Sequence, residues 1–199
     1  MMPVAILCGG LGTRLGAETK DKPKSLVDVN GKPFIVHQLE LLKRNGYTDI
    51  VLLIAHLGYQ ISAALGDGSR FGVSLRYIDD GPYGRLGTMG AIQHASCKIV
   101  DPYFFTLYGD SYLECDYAAV EQAFCDGGAY SLVTTWNGIE YGLNAYSLFS
   151  LNVLDEEVRT VVNYVMLRRF MEIGSPEGLA EVRAYLRASS TTESGATSP

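Results

Sequence analysis

The segment Pro3–Cys8 (PVAILC) is apolar at every position and runs directly into Gly9-Gly10. A strand with no polar alternate has no face for water, so it belongs inside a sheet covered on both sides. The glycines end it and free the backbone for a close approach. Similar runs recur at Asp49–Ile54 (DIVLLI), Tyr103–Tyr108 (YFFTLY) and Tyr130–Trp136 (YSLVTTW), while Val73–Ile78 alternates. Between them lie helix-like stretches. Pro33 opens one in which Phe34, Ile35, Leu39 and Leu42 recur at helical spacing until Asn45-Gly46, and others cover Tyr59–Leu65, Thr88–Ala95 and Tyr117–Cys125, the last capped by Asp116. Repeated strand–helix units predict an α/β fold, a doubly wound and mostly parallel sheet with helices on both faces.

Past Trp136 the rhythm weakens. Leu143–Phe149 reads as a strand, Asp155–Tyr164 as an amphipathic segment and Arg169–Ile173 as a last short strand. Ser175-Pro176 reads as a cap with proline at the first helical position, opening a helix over Glu177–Leu186. The tail that follows lacks apolar anchors and is expected to be disordered over 188–199. With 199 residues, one domain over 1–187 is expected.

The 22 acidic against 16 basic residues give a formal charge of -6, which argues against a nucleic-acid partner and requires any anion to be held by a local positive site. Ile50–Ala55 is far shorter than the ~20 residues that span a bilayer, and MMPVAILCGG carries no basic leader region. A cytoplasmic chain with no membrane partner is the expectation. Cys8, Cys97, Cys115 and Cys125 have neither CxxC pairing nor metal spacing with His37, His56 or His94, so reduced thiols are expected. His37, on an amphipathic helix, reads as a surface or boundary residue.

The chemistry is concentrated at Leu7-Cys8-Gly9-Gly10-Leu11-Gly12-Thr13-Arg14-Leu15, followed by Pro23-Lys24-Ser25-Leu26. Glycines after a buried strand aim several N–H donors at an anion, Arg14 supplies a fork-shaped cation and Lys24 a point charge. Together they read as a triphosphate cradle. The plainer alternative is a glycine turn with surface cations, as Lys20 and Lys22 would be. The dinucleotide fingerprint fails because Leu15 stands where its last glycine belongs, and no Gly-Lys-Ser/Thr of a Walker A loop is present. Asp79 and Asp80 precede a second glycine turn, and one of them could accept from a base or ribose.

In order and content, GGLGTRLG, PKSL and GKPF between Gly9 and Phe34 resemble the signature of the sugar-1-phosphate nucleotidylyltransferases. Leu86-Gly87-Thr88-Met89-Gly90-Ala91, the strand end Tyr108-Gly109-Asp110-Ser111, and Glu172-Ile173-Gly174-Ser175-Pro176-Glu177-Gly178-Leu179 resemble further family segments. YGDSY, EYGL and EIGSPEGL are most similar to the heptose- or hexose-1-phosphate guanylyltransferase branch. A molybdopterin-type nucleotidylyltransferase shares the fold but lacks the PKSL and GKPF arrangement.

The resemblance implies a nucleotide site of Leu7, Gly9, Gly10, Gly12, Thr13, Arg14, Gly87 and Thr88, with Gly87 at the base. It implies catalytic roles for Arg14, Lys24 and Asp110, and a Mg²⁺ held by Asp110 and Glu172. The implied substrates are a nucleoside triphosphate, GTP favoured, and a sugar 1-phosphate. A homo-oligomeric state is compatible with it.

One region departs from the family pattern. Only Asn137 and Gly138 separate the strand ending at Trp136 from Ile139-Glu140-Tyr141-Gly142, where relatives insert a strand pair with a lysine for the sugar phosphate. No lysine follows Lys98, and the stretch to Arg168 is also short. Glu140, Gly142, Arg168 and Arg169 are the remaining sugar-phosphate candidates. Three readings stay open: residues missing from the sequence as read, a shortened enzyme, or an impaired module that binds nucleotide without transfer.

Overall fold

The computed structural model describes residues 1–80, 86–127, 131–136, 139–147, 161–167 and 169–194. The first strand, β1 (Val4–Leu7), is central. It pairs in parallel with β4 (Asp49–Ile54) on one side and β6 (Tyr103–Tyr108) on the other, so that Leu7 stands beside both Leu53 and Tyr108. Outward from β4 lies β5 (Ser74–Asp79). Outward from β6 lie β9 (Ile139–Ser147), β8 (Ser131–Trp136) and β10 (Val161–Val165). The order β10-β8-β9-β6-β1-β4-β5 makes one seven-stranded sheet in which only β9 runs antiparallel to its neighbours. The expected α/β, mostly parallel architecture is therefore what the chain adopts.

Burial explains the unbroken apolar runs. Val4 and Ile6 join Ile50, Leu52, Phe105 and Leu107 in a core under α1 (Phe34–Arg44), α2 (Gly58–Leu65), α4 (Tyr117–Asp126) and the C-terminal helix α5 (Pro176–Ser194). Ala5 faces the other way with Val51, Leu53 and Phe104, under Ala91, Ile92 and Ala95 of α3 (Gly87–Ser96). Alternate side chains of each strand thus enter two different cores, and neither face can be polar.

Local signals hold where the cap atoms are visible. Asp116 accepts from the Ala119 amide at 3.0 Å, and the Ser175 hydroxyl accepts from the Gly178 amide at 3.1 Å. Other expectations need correction. Pro33 lies outside the first helix; with Lys32 it forms β3, which pairs with β2 (Asp28–Val29) across Asn30-Gly31. Both turn residues have positive φ, 54° and 89°, as a two-residue hairpin with an Asn-Gly turn requires. Residues 161–164 of the expected amphipathic segment belong to the strand β10. Residues 155–160 lie outside the described part.

The disordered tail is also corrected. Helix α5 continues to Ser194, well past Leu186, and 195–199 lie outside the described residues. Arg183 and Arg187 fasten this helix to the β2–β3 hairpin, through the Asp28 carbonyl at 2.8 Å and Asn30 Oδ1 at 3.3 Å. Beyond them Ser189 bonds back to the Tyr185 carbonyl at 3.1 Å, within the helix. No helix among the described residues is long and apolar enough to cross a membrane.

His37 is buried rather than superficial. Its Nε2 donates to the Val29 carbonyl at 2.9 Å, tying α1 to the hairpin. Burial is the main cause that holds its pKa below the ordinary histidine value, against the opposing pull of that carbonyl. The unfolded chain therefore takes up a proton, near pH 6.5 and below, that the folded chain resists, and stability falls as pH drops through that range. Urea midpoints compared at pH 7.5 and 5.5 should fall on acidification, by up to ~1.4 kcal/mol per pH unit for this one group. His37→Gln, which keeps a donor but cannot titrate, should flatten that slope.

Candidate active site

The strand order reverses at β1: the chain moves out through β4 and β5, then returns to add β6 on the opposite side. Open α/β sheets leave a crevice at such a point, at the carboxyl ends of the strands. A cavity of about 340 Å³ opens there. Leu7, Cys8, Gly9, Gly10 and Gly12 line one side, Lys24 and Ser25 another, and Gly109 and Asp110 a third. Gly87, Thr88 and Ala91 of α3, with Asp80, close the remainder.

The glycine loop is held in place by packing on the lysine segment. Gly12 has φ +65°, and a Cβ there would stand 3.0 Å from Thr19 Cγ2 and 3.1 Å from Lys24 Cβ. The Thr19 hydroxyl donates to the Gly12 carbonyl at 2.8 Å, closing the 3₁₀ turn Thr13–Thr19 beneath the loop. A second 3₁₀ turn, Lys24–Leu26, then carries Lys24 into the cavity wall. There its Nζ donates to Asp110 Oδ2 at 2.5 Å; the side chains are 12% and 29% exposed.

Asp110 is fixed from several directions. Gln38 of α1 donates through Nε2 to the Tyr108 carbonyl at 2.9 Å and to the Ser111 carbonyl at 2.6 Å, bracketing Gly109-Asp110. The Ser111 hydroxyl donates to Asp110 Oδ1 at 3.2 Å. The Asp110 carbonyl accepts from the Ile173 amide at 2.9 Å, next to an antiparallel pair in which β7 (Ser111–Tyr112) meets β11 (Met171–Glu172) and Glu172 stands opposite Ser111. Two carboxylates far apart in sequence are thereby brought to one strand end.

Arg14 reaches the same edge from the loop. Its Nη2 lies 3.0 Å, and Glu172 Oε1 3.1 Å, from the point where a Cβ on Gly174 would stand. Only glycine leaves room for both groups there. Arg14 and Thr13 are exposed and, among the described residues, stand outside the cavity wall, as do Lys20, Lys22 and Glu172.

Of the paired candidates, Asp80 lines the cavity and Asp79 does not. Asp80 Oδ2 accepts weakly from the Leu86 amide at 3.4 Å, and its buried Oδ1 has no hydrogen-bond partner among the described residues. Cys8 and Ser25 are cavity residues that sequence reasoning left as background. Burial chiefly, and then the Asp110 charge, push the Cys8 thiol up to about 12 against the Ser25 hydroxyl, so it remains a neutral wall group. Leu53, Ala91 and Tyr108 also line the wall, and only the strand register and the seating of α3 put them there.

Of the acceptor candidates, Arg169 has a described side chain, and it is not among the residues that line this cavity. Arg169 is exposed and pairs with Glu181 of α5 at 2.6 Å. Glu140 stands opposite Thr135 in the β8–β9 pairing, and Gly142 lies two residues further along β9. Arg168 and the side chain of Glu140 lie outside the described residues.

The chain is 41% identical over 121 residues to the N-acetylmuramate alpha-1-phosphate uridylyltransferase of Neisseria meningitidis serogroup B, a match covering 61% of this chain and 52% of that protein. It is 35% identical over 116 residues to the D-glycero-alpha-D-manno-heptose 1-phosphate guanylyltransferase of Campylobacter jejuni, covering 58% and 50%. The chain thus spans about half the length of these curated relatives. Its fold is similar to that of HddC from Yersinia pseudotuberculosis, with a TM-score of 0.78 at 24% identity over 94% of this chain and 100% of that one. The model of the nucleotidyl transferase family matches residues 4–143, from β1 through both glycine turns and Asp110 into β9. With that match over most of its length, the chain belongs to the nucleotidyl transferase family.

Proposed function

We propose that the chain transfers a nucleoside monophosphate from a nucleoside triphosphate to a sugar 1-phosphate, in the manner of a heptose- or hexose-1-phosphate guanylyltransferase. The observation that carries this reading is the convergence of the Gly9–Gly12 loop, Lys24 and Asp110 on one cavity at the ends of β1 and β6. The relatives named above, by their names, act on sugar 1-phosphates.

The reaction asks little covalent chemistry of the protein. An oxygen of the sugar phosphate attacks the α-phosphorus, the new O–P bond forms, and the bond to the β-phosphate breaks with its electron pair leaving on pyrophosphate. A phosphate monoester is largely anionic at pH 7, so no general base is needed. What the chain supplies is position and charge. Loop amides and Arg14 hold the departing phosphates, while Lys24 offsets charge where two anions meet.

Asp110 and Glu172 fit a Mg²⁺. Both offer oxygen donors on segments that the β7–β11 pairing joins, and this ion takes one or two carboxylates and completes its shell with water and phosphate. When bound, it would draw charge from the reacting phosphates.

Asp80 supports the choice of guanine. A buried carboxylate oxygen lacking a donor favours a base that brings adjacent N–H groups, and guanine offers N1–H and N2–H together. A second reading, a module that binds nucleotide without transfer, is favoured by Arg169, which is engaged with Glu181 at the surface instead of the cavity. Pyrophosphate release, assayed with each nucleoside triphosphate, Mg²⁺ and a panel of sugar 1-phosphates, decides between them. Release with GTP and one heptose or hexose 1-phosphate is expected; nucleotide binding with no release from any pair establishes the module.

Three variants separate the roles. Lys24→Ala should lower turnover by ~100-fold or more, far more than it lowers nucleotide affinity, read from steady-state kinetics and calorimetry. Asp110→Asn should abolish the dependence of nucleotide affinity on Mg²⁺ in titration calorimetry. Asp80→Asn should cut the preference for GTP over the other triphosphates by ~10-fold or more, measured as kcat/KM ratios.

A further inference from the structure

The cation beside Asp110 is Lys24. Its Nζ sits 2.5 Å from Oδ2, with the lysine side chain 12% exposed, so the contact is largely screened from water. Among the described residues the other oxygen, Oδ1, carries only the 3.2 Å bond from the Ser111 hydroxyl. The backbone that carries this carboxylate is fixed, because Gln38 brackets it and the Ile173 amide holds its carbonyl. Whatever cation reaches this carboxylate must do so beside, or in place of, the ammonium group.

We propose that Lys24 is the resident counter-ion of Asp110 and that a divalent metal and Lys24 exclude one another there until a triphosphate draws the lysine away. This rests on the reading of Asp110 and Glu172 as the metal carboxylates. A divalent ion and an ammonium group on one half-buried carboxylate repel strongly, and the low-dielectric wall screens that repulsion poorly. Without nucleotide, Lys24 neutralises Asp110 and the metal site is weak. An arriving triphosphate offers Lys24 a second anion in the same cavity, whose wall includes Gly9, Gly10 and Gly12 beside the lysine stem. Moving Nζ to the phosphate uncovers Oδ2, so metal and nucleotide enter together. Lys24 therefore has a task before the chemical step as well as during it, and the fixed Asp110 serves both cations in turn.

The test is Mn²⁺ binding to the nucleotide-free protein, followed by the electron paramagnetic resonance signal of free Mn²⁺, with thermal melting of each variant on the same sample. Lys24→Met should bind Mn²⁺ more tightly than the natural chain by about tenfold or more. Lys24→Gln, which keeps a donor to Asp110 without the charge, provides the same test if the methionine variant does not fold. Lys24→Arg, retaining the charge, should stay near the natural affinity. Adding Asp110→Asn to Lys24→Met should remove the gain. Unchanged, weaker or undetectable binding in both neutral variants overturns the proposal, and so does a gain that survives Asp110→Asn. Because no nucleotide or sugar is present, the outcome is independent of transfer: a gain in Mn²⁺ affinity together with no pyrophosphate release would sink the proposed activity and leave the counter-ion exchange standing.

Discussion

The placement of β1 between two parallel neighbours governs the rest of the molecule. A strand hydrogen-bonded on both edges and covered on both faces has only its ends free. Leu53, Leu7 and Tyr108 therefore finish side by side in register, and whatever follows them in sequence must meet at one place. The glycine loop follows β1, and Gly109-Asp110 follows β6. The 3₁₀ turn bearing Lys24 is then drawn in because Gly12 packs directly on the lysine stem. Small residues on the α3 side, Ala5, Ala91 and Ala95, let that helix sit close to the sheet and bring Gly87 and Thr88 to the opposite wall.

Around this cavity lies a support of residues that touch no part of it. Gln38 holds the Asp110 turn through two carbonyls, His37 holds the hairpin that follows Lys24, and Arg183 of α5 bonds the Asp28 carbonyl and approaches Glu18 at 3.7 Å. The helix that begins after Glu172 thus also braces the segments that bear Arg14 and Lys24. Such cross-ties limit how far either cation can drift from its anion, and pre-arranged charge is what a reaction between two anions needs from its site.

Much of this was legible along the chain, and the legible parts share a cause. Apolar runs without alternation can only be interior strands, so β1, β4 and β6 were set by composition alone. Caps such as Asp116 and Ser175 act within one turn, so their bonds follow from local spacing. The cation–glycine spacing likewise named Gly9, Gly10, Gly12 and Lys24, all of which line the cavity. Even the Asn30-Gly31 hairpin was readable, since its turn chemistry is local, although the helix signal of Pro33 obscured it.

The remainder depended on which segments the fold brings together. Its place on an amphipathic helix made His37 read as a surface or boundary residue, but the hairpin carbonyl of Val29 gave its ring a buried partner. Absence of apolar anchors suggested a disordered tail, yet α5 runs on to Ser194, with Arg183 and Arg187 reaching a distant hairpin. The choice of Asp80 over Asp79, the neutral Cys8 in the wall and the seating of Arg14 beside Gly174 are matters of register and packing between segments. What the sequence by itself determined were the strands, their order of chemistry and the main cations of the site, because these follow from local pattern. The tertiary structure alone decided that Lys24 rests on Asp110 and that Glu172 pairs opposite Ser111, because contact between residues so far apart arises only when strands pair and turns pack.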